Sequence, residues 1–232
     1  MYRVRTVVAI VGLAAIAPGL GNLVTAKATR PTAVAMDTPA RLAAAEETPG
    51  PGEPTLAEVR RATERFQDVN VALAEGYLRD PGNMCETADM MGRPASQGAM
   101  GIHYFRPDLL GITAPAPRVD GVGTHTDFRQ PSILIYEPQA DGSMALVAVE
   151  NLVFTKAWHE AGHTGPPTFH GRVYDTMRDD PATATDEAHG FEPHYDRHVW
   201  IYRENVNGVF TPFNPAVSCA HHEGAHHHAS AD

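Results

Sequence analysis

The chain has 232 residues, 18 basic against 28 acidic side chains and a formal net charge of −10 at pH 7 with histidine neutral. So acidic a chain repels phosphate backbones and anionic lipid, which excludes nucleic acid as a partner and charge-driven membrane binding. It has 13 histidines and only two cysteines, so imidazole rather than thiolate is its abundant metal-binding group.

The chain opens on a short basic start, Met1-Tyr2-Arg3-Val4-Arg5, followed by the uncharged apolar run Thr6 to Val24 and by Ala26-Lys27-Ala28. That is the pattern of an export signal with a small-x-small cleavage site, so residues 1–28 are expected to be a signal peptide. Gly12, Pro18, Gly19 and Gly21 make the run a poor permanent membrane helix. The mature chain is expected to be secreted, extracellular or periplasmic, with no membrane contact after cleavage. Cleavage removes Arg3, Arg5 and Lys27 and no acid, leaving 15 basic groups (18 less 3) against 28 acidic ones, a formal −13.

Residues 29–54 are rich in Ala, Thr, Pro and Glu and end at Pro49-Gly50-Pro51-Gly52. They offer little to bury and read as a disordered tether. A single globular domain is expected over 55–219. It starts with a capping box, Thr55-Leu56-Ala57-Glu58. Leu56, Val59, Ala62, Phe66, Val69, Leu73 and Tyr77 then recur at helical spacing, which predicts one long amphipathic helix ending at Asp80-Pro81-Gly82.

Beyond Cys85, short apolar runs alternate with Gly and Pro clusters. Strands are predicted at Gly98 to Phe105, Ser132 to Glu137, Met144 to Phe154 and Tyr195 to Arg203, with an extended segment from Val209 to Cys219. Arg106 to Pro131 is a long loop, and Trp158 to His194 is mostly irregular. Asp141-Gly142 between two apolar runs marks a hairpin. The expected fold class is α+β, loop-rich, with the long N-terminal helix packed on an antiparallel β-sheet. In an oxidising compartment Cys85 and Cys219 are expected to form a disulfide joining the two ends of the domain.

Gly98-Ala99-Met100-Gly101-Ile102-His103-Tyr104, Ile135-Tyr136-Glu137-Pro138, His198-Val199-Trp200 and Phe213-Asn214-Pro215-Ala216-Val217-Ser218-Cys219 together resemble a family of small exported microbial proteins of unassigned function. The resemblance covers most of Ala74 to Cys219. It implies one shared domain that includes both cysteines, and it brings no activity with it.

Three histidine constellations carry candidate chemistry. His103 and His198 lie in apolar strand sequence, as do Glu137 and Glu150, and a buried charge is costly unless paired or bound to metal. A two-residue turn at Asp141-Gly142 pairs residue 133 with 150 and puts Glu137 and Glu150 on one face, about 13 Å apart at roughly 3.3 Å per residue. Two His and a carboxylate suffice to hold Zn²⁺, Cu²⁺ or Fe²⁺. The same residues without an ion would form a buried His–Glu hydrogen-bond network.

His159-Glu160-Ala161-Gly162-His163 matches H-E-x-x-H, in which His159 and His163 would bind zinc and Glu160 would serve as general base of a peptidase. Gly165-Pro166-Pro167 stops any helix there at once, and Phe169 stands where a metzincin has its third His. The tail, 220–232, holds His221, His222, His226, His227 and His228, a dense imidazole cluster suited to scavenging Zn or Cu with little selectivity. The favoured function is an exported domain binding a divalent transition metal or small ligand on its sheet. A zinc metallopeptidase and a non-catalytic structural or interaction protein are the alternatives.

Overall fold

In the computed structural model, residues 48–223 are described. The expected signal peptide, most of the tether and the tail from residue 224 onward lie outside them. The N-terminal helical region is not one long helix, and strands dominate the domain. The capping box at Thr55 is formed in full and starts α1 (Leu56–Thr63). A 3₁₀ turn follows at Glu64–Gln67, and then α2 (Val69–Ala74).

The break has a local cause. The Thr63 hydroxyl donates back to the Val59 carbonyl at 2.9 Å, competing with helix continuation. The Asp68 side chain then accepts from the Asn70 N–H and caps a new helix. The restart shifts the buried face: Ala72 is fully buried, while Leu73, expected in the apolar stripe, is 45% exposed.

The main sheet is antiparallel throughout. It contains β1 (Leu78–Arg79), β2 (Cys85–Thr87), β3 (Ala99–Phe105), β6 (Ile133–Pro138), β7 (Met144–Phe154), β10 (Asp175–Met177) and β11 (His194–Val199). Its order is β1-β3-β6-β7-β11-β10, with β2 also paired to β3. The loop expected between Arg106 and Pro131 holds a short helix, α3 (Pro107–Leu110), and the ribbon β4 (Ile112–Ala114) with β5 (Asp120–Gly121). A single helical turn, α4 (Thr155–Glu160), follows β7, and β8 (Thr168–Phe169) pairs with β9 (Arg172–Val173). Among the described residues no helix is long and apolar enough to cross a membrane.

One face of the sheet meets the N-terminal helices. Tyr136 Oη donates to the Phe66 carbonyl at 2.6 Å, and Tyr77 Oη to the Pro131 carbonyl at 2.6 Å. Val59, Phe66, Ala72 and Tyr77 join Ile102, Leu134, Tyr136, Val149 and Val153 in one buried cluster. Cys85 and Cys219 are joined by a disulfide, with Cα atoms 5.7 Å apart. It fastens β2 to the extended C-terminal segment.

Candidate metal centre

The other face of the sheet collects charge. Glu150 of β7 lies directly opposite His198 of β11 on one side and Ile133 of β6 on the other. His103 of β3 lies opposite Ile135. Paired residues share a face, as do residues two apart, so His103, Glu150 and His198 all project to the same side.

The pairing of 133 with 150 agrees with the expected hairpin register, although the hairpin reaches it differently. Gln139 N–H donates to the Ser143 carbonyl, so the loop is one residue longer, with Gly142 at φ +82°. An irregularity between Ile135 and Tyr136 then places one extra residue, Val147, in β7. The two offsets cancel before Glu150.

His103 Nε2 lies 3.3 Å from Glu150 Oε2, and His198 Nε2 lies 3.4 Å from the same oxygen. Ligands bound to one tetrahedral Zn²⁺ at about 2.0–2.1 Å lie about 3.3 Å from one another. His103, Glu150 and His198 are, among the described residues, the one group of three or more such side chains whose ligand atoms converge. Their side chains are 12%, 3% and 1% exposed. They line a cavity of about 20 Å³ with Glu86, His189, His194 and Asp196. Room for one water-sized sphere needs about 10–15 Å³.

Glu86 is the support of the site. His103 Nδ1 lies 3.6 Å from Glu86 Oε1, and Glu86 Oε2 pairs closely with His189 Nδ1. At 3.6 Å the Glu86 carboxylate is a charge partner of His103 Nδ1 rather than a hydrogen-bond acceptor, and Nε2 is the His103 nitrogen that faces Glu150. Burial pushes the Glu86 carboxyl up, but His189 and then His103 outweigh burial and hold it down at about 2. Burial likewise opposes charge on His103, yet Glu86 and Glu150 raise it to about 9. Burial pushes His198 down and His194 down to about 4. Burial, reinforced by the Glu150 charge, raises Asp196 well above the usual carboxylate range.

The remaining sequence candidates go elsewhere. Glu137 accepts from Ser218 N–H at 2.9 Å and Gln139 Nε2 at 3.2 Å, and pairs with Arg203. It stabilises the C-terminal segment and does not join Glu150. In the H-E-x-x-H segment the helical turn ends at Glu160. His159 has Nδ1 against the His163 carbonyl at 2.7 Å and Nε2 against Tyr195 Oη at 3.1 Å. His163 stacks on Trp158 with ring centroids 3.6 Å apart. The two imidazoles therefore present no shared opening for zinc, and the segment does not assemble the peptidase geometry. His221 and His222 lie at the described C-terminal end without joining the triad, while His226, His227 and His228 lie outside the described residues.

Sequence reasoning passed over Glu86, His189, His194 and Asp196. Part of the signal was present: His194, Asp196 and His198 alternate along one strand and so share a face. Glu86 follows Cys85 in a three-residue strand, and His189 lies in an irregular segment, so periodicity marks neither. Comparisons with protein-family models, with curated proteins and with solved structures give no match.

Proposed function

We propose that this is an exported domain that holds one divalent transition-metal ion, Zn²⁺ or Cu²⁺, between His103, Glu150 and His198. The histidine-rich tail is an accessory that captures metal from solution. One observation favours an ion over a plain hydrogen-bond network. Among the described residues, Glu150 Oε2 and both ring nitrogens of His198 are buried without a hydrogen-bond partner. A buried network is stable when its members are satisfied, and leaving such groups unmet costs about 1–3 kcal/mol each. An ion would satisfy the Glu150 oxygen and one nitrogen from each histidine together. Three protein ligands leave a tetrahedral ion one position for water or a small ligand. The disulfide is consistent with export, because such bonds persist in oxidising compartments.

The test is metal content after purification without an affinity column, for the wild-type chain and for Glu150→Gln, which keeps the shape and removes the charge. The wild type is expected to retain one more equivalent of Zn²⁺ or Cu²⁺ than the variant, and to gain thermal stability when that metal is added after chelation. Equal metal in both proteins, with equal response to added metal, would assign all binding to the tail and end the core-site reading.

A further inference from the structure

A second, larger cleft of about 700 Å³ adjoins the triad cavity, and Met100 and His189 line both spaces. This is the size of a small-molecule site, about 300–1,000 Å³. One wall is apolar: Met100 and Phe213 pack together with Met91 against them, and Met177 of β10 lines the same cleft.

The charged lining is unevenly paired. Asp175 faces Arg197 at 3.4 Å, and Glu187 accepts from Thr183 Oγ1 at 2.7 Å and from Asp180 N–H at 3.0 Å. Arg197 thus offsets the charge of Asp175, while Glu187 has only neutral donors and keeps its negative charge in the lining. Arg93 and Arg178 also line the cleft, are exposed, and have no side-chain partner among the described residues. The His189 side chain is 8% exposed, with Nδ1 turned to Glu86 and Nε2 buried without a hydrogen-bond partner. Its backbone is held at φ +54°, a conformation non-glycine residues rarely adopt. The cleft therefore offers two guanidinium groups unpaired among the described residues and an apolar wall, with buried His189 at its boundary with the triad cavity.

We propose that this cleft binds a small organic anion, a carboxylate or phosphoryl oxyanion on a partly apolar body. Arg93 and Arg178 hold the oxyanion, the methionine wall takes the body, and His189 closes the cleft on the side shared with the triad. Guanidinium donors match both oxyanions and bind them more strongly than neutral donors do. The chain as a whole is acidic, at −10, so attraction here is local and weakens with salt. Binding in the cleft does not require an ion in the triad.

The experiment uses the full chain with benzoate and phenylphosphonate as probes and neutral benzamide as control, titrated by calorimetry and ligand-observed NMR. At least one anion is expected to bind saturably and benzamide about tenfold or more weakly, since the charged hydrogen bonds are lost. The double variant Arg93→Gln/Arg178→Gln is expected to weaken the anion by a similar factor with an unchanged thermal midpoint, because both side chains are exposed. No saturation by about 10 mM, equal binding of benzamide, or wild-type affinity in the double variant would overturn the proposal. Repeating the titration on Glu150→Gln separates the two sites. Arginine-dependent binding that survives there stands without the metal, whereas metal retention without arginine-dependent binding removes the cleft proposal alone.

Discussion

His198 is almost wholly buried, 1% exposed, on a strand where each flanking position is also buried. Its imidazole, the Glu150 carboxylate and the His103 imidazole converge as a group that could hold a metal ion, and protonation would compete with such an ion. The pH dependence follows from the shifts. The folded value of His103 is about 9 against an ordinary 6.5, and that of His189 is also raised. A raised value means stability that is full below pH 6.5 and lost as pH rises through the folded value. Asp196, raised as well, acts in the same sense. Metal-free protein is therefore expected to lose thermal stability between about pH 6.5 and 9. Metal needs the neutral imidazole, so the extra stability conferred by metal should grow over the same interval. Thermal melts of chelated and loaded protein at several pH values check both signs. A chelated midpoint that climbs from pH 6.5 to 9 would contradict the proposed charge state of His103. Glu160 is exposed and should be silent: Glu160→Gln is expected to change stability by no more than about 0.5 kcal/mol and to leave metal content untouched.

At the scale of elements, the site depends on how β3 runs past its neighbours. Gly101 sits opposite Glu86 at φ +118°, and a Cβ there would meet the Tyr136 carbonyl oxygen at 2.7 Å. Gly101→Ala is thus expected to cost at least about 1–3 kcal/mol from backbone conformation alone, and to loosen metal retention by shifting β3 beneath His103. Thermal midpoint and metal content read the two effects separately, and a stable variant with full metal would show that β3 can move freely. The hairpin β6–β7 was legible because apolar runs flank Asp-Gly, and the 133–150 pairing came out as expected despite its two offsets. The N-terminal helix was legible only at its start. Its apolar spacing continues across Asp68, but a capping side chain decides phase locally and outweighs periodicity. His103, Glu150 and His198 could be named from their apolar surroundings. Their convergence could not, because straight-strand spacing says nothing of sheet curvature or of partners such as His189 brought in by irregular chain.

The triad draws on residues 103, 150 and 198, so its geometry is held by the whole sheet rather than by any local motif. The disulfide is the one covalent constraint across that span. It closes a loop with a sequence separation of 134, for which the chain-entropy model gives about 5 kcal/mol, with measured values often lower. Its position gives it a second consequence. Cys85 is adjacent to Glu86, whose carboxylate holds both His103 and His189, and Cys219 Sγ lies 4.0 Å from the Glu86 carbonyl. Cutting the bridge frees β2, the edge strand that carries this carboxylate. Reduction and alkylation are therefore expected to lower the thermal midpoint by several degrees, since about 2 kcal/mol corresponds to about 4–8 °C in a domain of this size. Metal retention should fall with it, because His103 loses the carboxylate beside it. The comparison is between oxidised protein and alkylated protein, each chelated and each reloaded. If the bridge acts only on the unfolded chain, the midpoint falls while metal affinity at 25 °C stays unchanged. If it also holds the site, affinity falls in the folded protein, and only that second result supports a disulfide that serves the metal centre.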